Sequence, residues 1–228
     1  MEIGVIEAAR RLNVDPSRVR QLIRSGAIEG RRLGRAWVVD DRVLDRVVRH
    51  PASSGRPLAP LRAWGLLDVL SGGGAPWLSP VARSQVRALA RGFAYADPNR
   101  WRSALRGRAD VHRVRAHRSA IPRLLALPEA VESGPAVAAM LGVDLVALDA
   151  IPDLYLPEDS WRQAADRLRL VDDNSQFDAV IRVPRGLWPF AESPLVLRAA
   201  SAADLLDSEE PRAVEQGWSM LVALARAV

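Results

Sequence analysis

Ser17, Arg18, Arg20, Gln21 and Arg24 crowd into one short stretch, DPSRVRQLIRSG, at residues 15–26. A guanidinium is a rigid fork of donors that can pair with both O6 and N7 of guanine, and a glutamine amide can do the same with adenine. Such groups act together only if a rigid element holds them on one face. The surrounding residues predict that element: Asp15 can accept backbone N–H groups at a helix start, Pro16 suits the first helical position, and Gly26 suits the end. Val19, Leu22 and Ile23 then form an apolar stripe at i, i+3, i+4, and the polar residues lie off it.

The neighbouring elements are equally periodic. Val5, Ile6, Ala9 and Leu12 predict a preceding helix, with Asn13-Val14 as the gap before the second. Residues 28–33 and 37–39 read as two strands joined through Gly34-Arg35, a hairpin that carries Arg31, Arg32 and Arg35. A third helix is expected after Asp40, with Val43, Leu44, Val47 and Val48 toward the core.

The stretch EAARRLNVDPSRVRQLIRSGAIEGRRLGRAWVVDD resembles the winged helix-turn-helix of the excisionase and MerR-like group. In that group the second helix enters the major groove and the wing meets the backbone or minor groove. The resemblance therefore implies DNA contacts by Ser17, Arg18, Arg20, Gln21 and Arg24 on the helix, and by Arg31, Arg32 and Arg35 on the wing. The competing explanation is a merely solvated face: the chain has no lysine, all 32 basic residues are arginine, and any exposed helix would look arginine-rich. The order of helix, turn, helix and wing favours the DNA-contacting reading.

A search for catalytic chemistry finds little. There is no cysteine and no lysine, and only three histidines. His112 and His117 are expected on opposite faces of one strand, where they cannot share a metal. SGGGAPW lacks the Lys-Ser or Lys-Thr of a phosphate loop. The pairs Glu158-Asp159, Asp172-Asp173 and Glu209-Glu210 fall at expected helix ends or loops, where capping and solvation account for them. The expectation is a protein that is not an enzyme and has no cofactor and no metal site. No apolar run approaches the ~18 residues of a membrane span, so a soluble, cytoplasmic protein that does not engage membranes is expected.

The remaining chain divides by composition. After the DNA-binding module at 1–50, HPASSGRP suggests a linker at 51–57. Residues 58–110 read as a basic helical segment, with helices over Leu61–Leu70, Pro80–Arg91 and Pro98–Arg106. Its Arg83, Arg87, Arg91, Arg100, Arg102, Arg106 and Arg108 suit either DNA phosphates or pairing with the acidic C-terminal half. Net charge runs +4 over 1–50, +10 over 51–127 and −9 over 128–228. Residues 111–228 read as an α+β domain, with strands in VHRVRAH, VDLVAL, DLYLP, FDAVIRVP and PLVLRA and helices in IPRLLAL, EDSWRQAADRL, AASAADLLDSE and the final PRAVEQGWSMLVALARAV. The whole chain is thus expected to be α+β.

VIRVPRGLWPF, with RAASAADLLDSEEPRAVEQGWSMLVALA after it, resembles the end of AbiEi-type antitoxins. In that family a winged DNA-binding domain precedes an α+β domain, and members act as antitoxin and autorepressor beside a nucleotidyltransferase toxin. The resemblance implies a toxin-antitoxin repressor that binds double-stranded DNA and a cognate toxin protein; a homodimer is compatible with it. Tyr155, Trp161, Trp188 and Phe190 look exposed in an acidic domain and are the expected partner-binding anchors. Filling a core is the alternative for these aromatics. The alternative for the protein is an excisionase-like recombination accessory or architectural DNA-binding protein.

Overall fold

The computed structural model describes residues 2–12, 14–24, 28, 30–34, 36–40, 42, 44, 56–135, 137 and 151–228, without the side chains of 18, 24 and 195. It has an α+β fold in two compact units. One comprises Met1–Ser53 with Asp173–Gln176, and the other Ser54–Asp172 with Phe177–Val228.

The first unit contains β1 (Glu2–Gly4), α1 (Val5–Leu12), α2 (Pro16–Arg24), β2 (Gly30–Leu33) and β3 (Ala36–Asp40). The strands form an antiparallel sheet in the order β1-β3-β2. Its core is Ile3, Val5, Ala8, Ala9, Val19, Ile23, Ile28, Val39 and Leu44. Val19 and Ile23 are buried as their spacing predicts, and Leu22 packs against the same core. Ile6 is a correction: it is 64% exposed, and the small Ala8 faces inward instead. At the hairpin tip Leu33 pairs with Ala36, and Gly34 has φ +62°, a left-handed turn conformation that favours glycine. The stop expected at Gly26, and Val43, Val47 and Val48 of the expected third helix, lie outside the described residues. Asp40, after which the third helix is expected, accepts the Arg42 N–H through Oδ1 at 2.8 Å.

The second unit contains α3 (Pro60–Leu70), α4 (Pro80–Phe93), α5 (Pro98–Leu105), β4 (Ala109–Arg115), α6 (Ile121–Leu125), β5 (Val131–Glu132), β6 (Asp153–Tyr155), α7 (Glu158–Leu168), β7 (Val171–Asp172), β8 (Ala179–Pro184), α8 (Pro189–Glu192), α9 (Leu197–Leu206) and α10 (Pro211–Arg226). Ser79 and Asp97 cap α4 and α5, accepting the N–H groups of Ala82 and Arg100. The mixed sheet runs β5-β6-β8-β4-β7, with β6 and β8 parallel.

The boundary expected at residue 110 does not separate two bodies. Trp64, Leu67, Phe93 and Trp101 from the helical stretch share one core with Tyr155, Phe190, Ala203 and Leu221. The reason is that α3 and α9 are apolar nearly all round and must be covered on several sides. Joined in this way, the unit carries 21 arginines and 19 carboxylates, so the basic and acidic stretches balance. PLVLRA is a second correction: it forms a 3-10 turn at Pro194–Val196 and the first residues of α9. Its alternation is short, and the alanine-rich run behind it favours helix. VDLVAL lies outside the described residues. Gly217 lets α10 approach α9, since a Cβ there would come within 2.5 Å of the Ala202 carbonyl oxygen.

Candidate nucleic-acid interface

α2 is fixed at its start by Asp15, whose Oδ1 accepts the Ser17 N–H at 2.7 Å. The Ser17 hydroxyl and N–H, with a smaller contribution from Arg20, hold the Asp15 carboxyl below the usual carboxylate range. The helix is fixed on its inner side by Val19 and Ile23, and Gly30 at the start of β2 abuts it: a Cβ there would meet the Ile23 side chain at 3.0 Å. Helix and hairpin are therefore locked together through one contact line.

On the outer side Ser17, Arg20 and Gln21 are all exposed. Arg20 makes no ion pair with a described residue. Arg18 and Arg24 lie on the same helix, but their side chains, like the whole of Arg35, lie outside what is described. The structure thus brings together three of the five expected helix positions on one solvent-facing surface.

The hairpin arginines differ from one another. Arg32 pairs across the sheet with Trp37, and its guanidinium lies over that indole at 5.5 Å from the ring centroid. By strand alternation it shares a face with Gly30, whose partner Val39 is in the core, so Arg32 projects on the side where the helices pack. Arg31 projects on the other side and donates through Nε and Nη2 to the two carboxylate oxygens of Glu2, at 2.6 and 2.7 Å. That bidentate pair raises the Arg31 pKa and neutralises the charge expected to contact DNA.

Two of the four aromatics expected as partner anchors, Tyr155 and Phe190, are a clearer correction. Tyr155 is fully buried, stacked edge-on to Trp64 at 5.6 Å and close to Phe190 at 4.8 Å. Phe190 is 8% exposed in the same core, and Trp188 packs edge-on against it at 5.0 Å. Trp161 is half-buried and lies 4.6 Å from the His112 ring. The strand β6 turns Tyr155 inward and the short helix α8 turns Phe190 inward, whereas Trp161 and Trp188 stay half-buried.

Tyr155 leads to a group the sequence reading missed. Its hydroxyl donates to Asp204 Oδ1 at 2.9 Å, and Ser133 Oγ donates to Asp204 Oδ2. Arg108 reaches Asp204 at 2.6 Å and Asp207 at 2.8 Å. Arg182 grips Asp153 through Nε and Nη2 at 2.7 and 2.8 Å and approaches Asp204 at 3.2 Å. Burial alone would lower the pKa of both arginines; the charges of Asp207 and Asp204 outweigh it for Arg108, and those of Asp153 and Asp204 for Arg182, so both stay charged. Burial and the charge of Asp204 keep Tyr155 protonated, as a donor must be. A carboxylate inside AASAADLL and an arginine inside VIRVP were the available signals, because a charge within an apolar run needs a buried partner.

This cluster joins α9 to the sheet and to the end of α5, with its carboxylates facing the guanidiniums, while Arg108 Nε is buried without a hydrogen-bond partner among the described residues. It is an internal brace rather than a surface. In the first unit, Ser17, Arg20 and Gln21 of α2 and Arg32 of β2 are exposed. In comparisons with family models, curated proteins and solved structures, none matches the chain.

Proposed function

We propose that the protein is a sequence-specific regulator that binds double-stranded DNA through α2 and the β2–β3 hairpin. The observation that carries this reading is the joint exposure of Ser17, Arg20 and Gln21 on a capped helix whose other side is locked into a core. In this reading Arg20 and Gln21 read base edges in the major groove, Ser17 contacts a phosphate near the helix N-terminus, and Arg32 contacts backbone beside the groove. Arg31 is reassigned from DNA contact to bracing β2 against β1. The resemblance of the C-terminal stretch to AbiEi-type antitoxins extends the proposal to an antitoxin and autorepressor that binds a nucleotidyltransferase-type toxin, without Tyr155 or Phe190 as contact residues.

Selection of binding sites from a random duplex library by the full chain, followed by mobility-shift titration, tests the DNA reading. Enrichment of a defined motif, with weaker binding by Arg20→Ala and Gln21→Ala, is expected. No enriched motif, or binding unchanged in both variants, would overturn it. Co-expression with the neighbouring gene product, read as growth rescue, tests the antitoxin extension separately.

A further inference from the structure

Arg83, Arg87 and Arg91 recur every fourth residue along α4, a rise of about 6 Å per step, and Tyr95 follows at the same interval. Ala94 keeps right-handed helical angles, φ −56° and ψ −21°, so the ridge continues past the end of α4 to Tyr95. The inner side of the helix, Val86, Ala90 and Phe93, is buried in the core of the second unit.

The three arginines line a shallow concavity of about 420 Å³ with Pro80, Ser84 and Ala88. α4 contains no carboxylate, and none of the three guanidiniums is bonded or ion-paired to a described residue. They contrast with Arg108 of the same basic stretch, which is consumed by Asp204 and Asp207. Tyr95 is 90% exposed, the highest among the exposed large hydrophobic side chains described. Its backbone is nevertheless held on both sides: Ala94 and Ala96 are buried, the Ala96 N–H donates to the Phe93 carbonyl, and the Ala96 carbonyl accepts from Trp218 Nε1 at 2.9 Å. The ring is presented to solvent by an anchored chain.

We propose that this ridge binds a single strand of nucleic acid, with Arg83, Arg87 and Arg91 following the phosphates and Tyr95 stacking on an unpaired base. Guanidiniums one helical turn apart suit a backbone whose charge recurs along its length, and an aromatic ring standing free beside them supplies the stacking platform typical of single-strand binding. A duplex offers the same phosphates but keeps its bases stacked on each other, leaving Tyr95 without a face to meet. An acidic protein surface would match the arginines and give the phenol ring no comparable partner. The ridge belongs to the second unit, and the inference does not rest on the reading of α2.

Fluorescence anisotropy of the full chain with labelled oligothymidylate and oligouridylate of about 20 nucleotides, long enough for one such site, tests it; the two probes separate DNA from RNA. Binding of at least one strand is expected. Tyr95→Ala should weaken it roughly 10-fold, within the range of one lost base stack, while Tyr95→Phe retains it. The combined Arg83→Ala, Arg87→Ala, Arg91→Ala variant should lower the salt slope by about 2. Arg20→Ala should leave single-strand binding unchanged, which separates this result from failure of the duplex reading. Unaltered melting temperatures of the variants would confirm that folding is intact.

Absence of binding to both strands would overturn the proposal, as would an arginine effect with no Tyr95 effect. Ridge-dependent binding that is as tight for a duplex of equal length, or for polyglutamate, would assign the surface to that partner and would also overturn it.

Discussion

Arg20 and Arg182 both project from regular elements, yet one lies in solvent on α2 and the other is 4% exposed on β8. Arg182 has Asp153 at 2.7 Å and Asp204 at 3.2 Å; Arg20 has no ion-pair partner among the described residues. In a chain whose every basic residue is arginine, composition cannot separate these duties. The difference comes from what the element buries. β8 is covered on both sides and must neutralise any charge it carries, whereas α2, among its described side chains, buries Val19 and Ile23 and leaves Ser17, Arg20 and Gln21 exposed.

The largest effect expected from this comparison is on stability. Asp204→Ala removes the acceptor shared by Arg108, Arg182, Tyr155 and Ser133, and should cost about 3–5 kcal/mol, the range for breaking a buried ion pair from one side. Denaturant unfolding measures it, and a loss below about 1 kcal/mol would mean that water satisfies the brace. Arg20→Ala should leave unfolding within about 0.5 kcal/mol of the parent but cost about 1–3 kcal/mol in binding to a selected duplex. A smaller effect separates the two hairpin arginines. Arg32→Ala should reduce the salt slope of duplex binding by about 0.9, and Arg31→Ala should barely change it, because Glu2 already neutralises that charge.

Glu2→Gln sharpens the point in reverse. It frees Arg31 and should steepen the salt slope, by at most about 0.9, if the outer side of the sheet comes near phosphate. The smallest expected effect is on the pH dependence of α2. The carboxyl of Asp15 has a folded pKa below its unfolded one, so its cap contributes stability above the unfolded value that is lost as pH falls through the folded value. Amide protection at the start of α2, taken relative to the intrinsic exchange rate at each pH, should therefore fall in acid, and Asp15→Asn, which keeps an acceptor, should remove that dependence.

The legible parts of the fold were local. Asp15-Pro16, the stripe at Val19 and Ile23, and Gly34 each act within a few residues, and each predicted feature is present. Ile6 was misread because α1 buries small alanines, which an apolar-stripe argument weighs less than isoleucine. β1, β5 and β7 have only two or three residues, too short for alternation to register, and exist through pairing with distant strands. The brace joins Arg108 to Asp204 across 96 positions, which no spacing rule reaches. Tyr155 and Phe190 looked like surface anchors because their segments are rich in charge or proline, but the core that covers them comes largely from α3 and α9.

The most direct measurement follows the arginine side-chain Nε–H signals of the labelled full chain while the selected duplex is added. The account predicts shifts at Arg20 and Arg32, with Arg108 and Arg182 unmoved because their guanidiniums are enclosed by Asp153, Asp204 and Asp207. Saturating duplex that leaves Arg20 and Arg32 unshifted would contradict it.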